Sequence, residues 1–147
     1  MLHTYWVGNL RLVLDVQLSP GKQHTSIHAN AGWDGCWTNC GDKRPALVRG
    51  DCGYGNEGIL MELERRAQPY LLRLRQTKNV QRLVARQFAL MDWSRPDAQG
   101  CQVGEDQLKL DGWSAKRHVV IVRKRINESW RASAATSAGN CAWRWRT

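Results

Sequence analysis

The chain has 147 residues, is 42% hydrophobic and carries 22 Lys plus Arg against 13 Asp plus Glu, a formal net charge of +9. That is one domain or part of one, with enough apolar residues to build a core, so wholesale disorder is excluded. The longest strictly aliphatic run is Val119 to Val122, far short of the roughly 18 residues of a membrane span, and no cationic N-terminal segment leads into an apolar one, so neither a span nor a secretory signal is expected.

From Asn9 to Leu18, Leu10, Leu12, Leu14, Val16 and Leu18 alternate with Arg11, Val13, Asp15 and Gln17. A period of two predicts a β-strand, or a hairpin arm with Tyr5 to Val7, ended by the turn Ser19-Pro20-Gly21. The stretch from Lys22 to Arg44 is polar and Gly-rich, carries Trp33 and Trp37 without a period, and reads as loop. Pro45 to Arg49 reads as a short strand that stops at Gly50-Asp51-Cys52-Gly53-Tyr54-Gly55. Asn56 is placed to cap a helix in which Ile59, Leu60, Leu63 and Ala67 share one face and Glu62 pairs with Arg66.

Pro69 opens a strand over Tyr70 to Arg75, and Thr77 caps a second helix with Val80, Leu83, Val84, Phe88 and Met91 at helical spacing. Lys78, Arg82 and Arg86 follow at i, i+4, i+8 on the opposite side as a basic ridge, for which the plainer reading is a solvated face. Gln107 to Leu110 and Arg117 to Arg125 read as strands, with Asp111-Gly112 as the turn signal between them. The order β, α, β, α and then strands predicts an α/β fold.

Charge is uneven along the chain. Residues 1–112 carry a net +2 and residues 113–147 a net +7, a balance that suits partners bearing phosphates. From Ile126 to Thr147 the pattern dissolves into Ser and Ala and ends in Trp143, Arg144, Trp145 and Arg146. Five of the eight Trp fall in the two aperiodic stretches, which suggests out-of-frame translation of GC-rich coding sequence in one or both.

Three sites compete. His24, His28, Cys36 and Cys40 have spacings resembling a zinc site, but the His pair precedes the Cys pair on an unpatterned segment. Without an export signal the five cysteines (Cys36, Cys40, Cys52, Cys101, Cys141) meet a reducing cytosol, so a disulfide framework is not expected. Gly53, Gly55 and Gly58 spell G-x-G-x-x-G between strand and helix, yet Asp51 and Glu57 would set carboxylates where a pyrophosphate must sit. The third candidate is Asp51 itself, at the C-terminal end of a strand, where a hard oxygen ligand suits Mg²⁺ or Mn²⁺.

Gly8 to Val16, the Pro20 to Ser26 turn, Arg49 to Gly58, Gln68 to Arg75, Thr77 to Val80, Gly112 to Ser114 and Val119 to Arg125 together resemble a DDE transposase of bacterial insertion sequences. The likeness covers most of residues 3–125 apart from the Trp33 patch. It implies a partial ribonuclease H-like mixed sheet with flanking helices over residues 1–92, the start of a β-rich insertion over 93–125, and an aperiodic tail, disordered or out of frame, over 126–147. It further implies three acids holding two Mg²⁺ or Mn²⁺ ions in an intact transposase, with Asp51 matching the second acid.

The first acid of the family lies on a strand upstream of this chain's first residues, and Asp15 matches a non-catalytic position. The third is a glutamate in a pattern of Tyr, two residues, Arg, three residues, Glu, six residues, Lys. Tyr70 and Arg73 fit its first half, but Thr77 and Val84 stand where Glu and Lys belong, so that glutamate is expected beyond residue 125. The implied partner is transposon-end DNA, met by Arg73, Arg75, Lys78, Arg82 and Arg86; intact relatives can oligomerise on it. The expected location is the bacterial cytoplasm, associated with the nucleoid and not with a membrane. The reading is a central transposase fragment, inactive alone in DNA transposition; the alternative is a small basic non-catalytic nucleic-acid-binding module using Lys78, Arg82, Arg86 and Arg123 to Arg125.

Overall fold

The computed structural model describes residues 2–8, 12–18 and 25–138, with the backbone alone at residues 2, 3, 6, 12, 15, 17 and 25–32. They fall into two compact units, one running to Ala46 and one from Leu47 onward.

In the first unit β1 (Leu2–Val7) and β2 (Leu12–Leu18) form an antiparallel hairpin, with Leu2 opposite Leu18 and Asp15 opposite Tyr5. The register shifts between Tyr5 and Trp6. The segment expected to be loop is instead the helix α1 (Thr25–Cys40). Trp33, Cys36, Trp37 and Cys40 recur at i, i+3, i+4 and i+7, so they share a helical face. Gly32 and Gly35 dilute the pattern. Trp33 meets Tyr5 edge-on at 5.5 Å and stacks on Trp37 at 6.0 Å. Asn39 donates from Nδ2 to the Leu14 carbonyl at 3.0 Å, tying the helix to β2.

The second unit is a five-stranded mixed sheet with two helices on one face. Its strands are β3 (Val48–Gly50), β4 (Tyr70–Arg73), β5 (Cys101–Leu108), β6 (Arg117–Ile126) and β7 (Ser129–Ala138), in the order β3-β4-β7-β6-β5. β3 and β4 are parallel, joined through α2 (Glu57–Arg65); the other pairings are antiparallel. α3 (Lys78–Leu90) follows β4. With three helices among the described residues, this α/β arrangement is compatible with a ribonuclease H-like core. No described helix is long and apolar enough to cross a membrane.

Both helix starts follow the capping residues read from sequence. Asn56 Oδ1 accepts the Ile59 N–H at 3.1 Å, and Thr77 Oγ1 accepts the Val80 N–H at 3.4 Å. On α2, Ile59, Leu60 and Leu63 are all but fully buried, each worth about 1.5–3 kcal/mol of burial. Ala67 does not continue that face: it lies past the helix, exposed, at φ 50°. On α3, Val80 and Leu83 are buried, but Met91 is a left-handed, exposed C-cap and Gln87 is buried instead.

The largest departure concerns the segment after Ile126, expected to be aperiodic. Ser129–Ala138 is β7, an interior strand between β4 and β6. Ala134 and Thr136 face the helices fully buried, while Ser133 and Ala135 alternate with them. Small residues on both faces give no hydropathy contrast, so neighbouring strands define the strand where its own pattern does not. The rest of the expected tail, residues 139–147, lies outside the described residues. β5 also starts at Cys101, earlier than the expected Gln107, and Gly104 within it leaves room for the Gln87 side chain.

Candidate nucleic-acid interface and the Asp51 turn

β3 ends at Gly50, where an added Cβ would lie 2.8 Å from Leu72 Cδ2, so glycine lets β3 pack closely against β4. The chain then turns. Asp51 is exposed; its Oδ1 accepts the Gly53 N–H at 2.8 Å and its carbonyl accepts the Tyr54 N–H at 3.2 Å. Asp51, Arg49 and Arg73 border a hollow of about 490 Å³ floored by Leu71, Val120 and Val122.

Arg73 reaches a second hollow as well, a crevice of about 330 Å³ that also takes in Asn56, Glu57 and Arg75. A third, of about 320 Å³, contains Lys78 and Arg82 and shares Thr77, Leu110 and Asp111 with the second. Four of the five cations expected to meet DNA are therefore strung along adjoining hollows, and all four are exposed. Arg86 is exposed too, but forms an ion pair with Asp106 on β5. Arg123, part of the alternative basic cluster, is unavailable. It is 7% exposed, lies 4.0 Å from the Trp93 ring centroid and 4.3 Å from that of Trp130, and donates to Gln102 Oε1 at 2.9 and 3.1 Å.

Sequence reading missed the charged cluster beside the crevice. The Arg117 side chain is 5% exposed. Its Nη1 donates to Glu57 Oε2 at 2.6 Å, its Nε to Glu64 Oε1 at 2.6 Å and its Nη2 to Glu64 Oε2 at 3.0 Å. Trp113 lies over the guanidinium at 5.1 Å, Tyr70 donates its hydroxyl to Glu64 at 2.9 Å, and the Ser114 N–H donates to Glu57 at 3.1 Å. The available signal was two glutamates seven residues apart, two helical turns, bordering the apolar stripe of α2.

The bonds from Arg117, with those from Ser114, hold the Glu57 carboxyl at about 2, against an ordinary 4.5. Arg117 and Tyr70 likewise hold Glu64 low, and burial pushes the Tyr70 hydroxyl up. A carboxylate whose folded value is depressed stabilises the fold fully above its unfolded value and loses that contribution as pH falls toward the folded one. Thermal midpoints are therefore expected to drop between about pH 5 and about pH 3, and Glu57→Gln should flatten that drop. A pH profile unchanged by the substitution would remove Glu57 from the acid response.

Two of the competing sites gain nothing from the fold. Cys36 and Cys40 sit one turn apart on α1, while His24 and the His28 side chain lie outside the described residues. None of the four described cysteines is in a disulfide. At the Gly-rich turn, the Ile59 N–H at the opening of α2 is taken by Asn56 and the Glu57 carboxylate faces the crevice, which disfavours a pyrophosphate.

A Mg²⁺ or Mn²⁺ ion is held by about six oxygen ligands. Asp51 offers two carboxylate oxygens, one already accepting the Gly53 N–H. Among the described residues no three His, Cys, Asp or Glu side chains gather as a metal site. The acids described here do not by themselves fit such a centre.

No curated protein matches the chain. The family model described as the transposase DDE domain matches residues 1–135, through the Trp33 patch and most of β7. With nearly the whole described chain inside that match, the protein belongs to the transposase DDE domain family.

Proposed function

We propose that the chain is the DNA-contacting central part of a transposase, with Asp51 supplying one acid of a metal centre completed by acids outside the described residues. The observation that carries this is the placement of Arg73. It lines the hollow beside Asp51 and also the crevice that leads, past Arg75, to Lys78 and Arg82. A DNA backbone following these hollows brings a phosphate next to the carboxylate. In an intact transposase the metal ions would supply the Lewis acidity for strand cleavage and transfer; the residues of this chain bind and orient the strand.

Salt dependence tests the track, because each neutralised phosphate contributes about 0.9 to the slope of log K against log salt on duplex DNA. Changing Arg73, Arg75, Lys78 and Arg82 together to Ala should flatten the slope by up to about 3.6 units. Arg86→Ala alone should change it little, since Asp106 already neutralises that cation. An unchanged slope in the quadruple variant would reduce the track to a solvated face. The non-catalytic module, built on Lys78, Arg82, Arg86 and Arg123 to Arg125, remains the second reading, favoured by the lack of a second carboxylate beside Asp51 among the described residues; it predicts a flattening of only about 1.8 units in the quadruple variant, from Lys78 and Arg82, and no cleavage even when further acids are supplied.

A further inference from the structure

We propose that Arg117 is a positioning residue for the Asp51 turn, acting through Glu57; this rests on the reading of Asp51 as a working carboxylate. Arg117 lines none of the three hollows, so its effect passes through what it grips. It holds α2 at Glu57 and at Glu64, seven positions apart on a helix of nine residues. Two grips along one axis fix both the rotation of the helix and its position along β6.

The turn before α2 has little slack. Asp51 follows directly on β3, which is pinned to β4 through Gly50 opposite Leu72. Five residues later Asn56 caps α2, and between them the Asp51 carboxylate and carbonyl hold Gly53 and Tyr54. With β3 fixed at one end and α2 at the other, the direction of the Asp51 carboxylate follows from where Arg117 sets the helix. Arg117 also neutralises Glu57, which lines the same crevice as Arg73 and Arg75 and would otherwise repel a phosphate there.

Backbone relaxation measured by NMR on the 147-residue chain tests this without any cleavage assay. Glu57→Gln keeps the grip on Glu64 and so spares the fold; Arg117→Lys keeps the charge but loses the fork. Order parameters at Gly53 and Tyr54 should fall from about 0.85 toward about 0.6 in Glu57→Gln, and part of the way in Arg117→Lys, with Val84 on α3 unchanged. A merely structural role would lower the thermal midpoint and leave the turn as rigid as the rest, and equal rigidity of Gly53 and Tyr54 in both variants would overturn the proposal. In a longer protein carrying the additional acids, Glu57→Gln should lower kcat for strand cleavage about tenfold without raising KM for DNA. If that longer parent cleaves nothing, the transposase reading fails, and the amide measurement still decides the role of Arg117.

Discussion

Arg117→Met is expected to cost about 3 kcal/mol of stability, a fall in thermal midpoint of roughly 10 °C. The figure sits at the lower end for a broken buried pair because the two carboxylates are partly open to water, at 22% exposure for Glu57 and 36% for Glu64. Methionine fills much the same space beside Trp113, so little of the loss is packing. Most of it comes from two carboxylates left without their donor on one helix, with the Tyr70 hydroxyl bonded to one of them. Adding Glu57→Gln and Glu64→Gln to Arg117→Met should therefore recover more than half of the loss, since neutral amides are cheaper to leave partly buried than anions. Denaturant unfolding of the three proteins, the parent, Arg117→Met and the triple variant, measures this. A loss within about 0.5 kcal/mol for Arg117→Met alone would place the cluster among surface ion pairs of little weight.

That cluster also marks where sequence reading stops. Asn56 and Thr77 announced their helices because a capping side chain and an apolar stripe are local signals, complete within a dozen residues. Asp51 and the cations of β4 and α3 could be singled out as candidates for a similar reason: they lie close together in the chain, and a strand end is where side chains project freely. Arg117 is separated from Glu57 by 60 positions. Its partners follow from the pairing of β6 with β7, and of β7 with β4, which no local pattern states. β7 was the missing link, its alternation hidden because Ala, Ser and Thr occupy both of its faces. α1 was hidden differently, since its Trp and Cys face occupies only the second half of the helix and glycines interrupt it.

In Mg²⁺ or Mn²⁺, the 147-residue chain is expected neither to nick nor to join transposon-end DNA, whatever its affinity for that DNA. Among the described residues, Asp51 is the one carboxylate bordering the 490 Å³ hollow. The other acids near the site have different tasks: Glu57 belongs to Arg117, and Asp106 is paired with Arg86. Glu105 lies on β5 against the His118 ring at 3.1 Å. Joining the chain to segments that carry a transposase's two remaining acids should create cleavage. In that longer protein Asp51→Ala should then lower the rate about 1,000-fold or more, the equivalent of ~4 kcal/mol of transition-state stabilisation. Asp51→Asn should fare no better, because it keeps the bond to the Gly53 N–H but loses the charge. Gel assays of end-labelled DNA read both results. Metal-dependent cleavage by the 147-residue chain itself, lost in Asp51→Ala, would show that this sequence already holds a complete set of acids and would overturn the proposal that the centre is shared with residues beyond it.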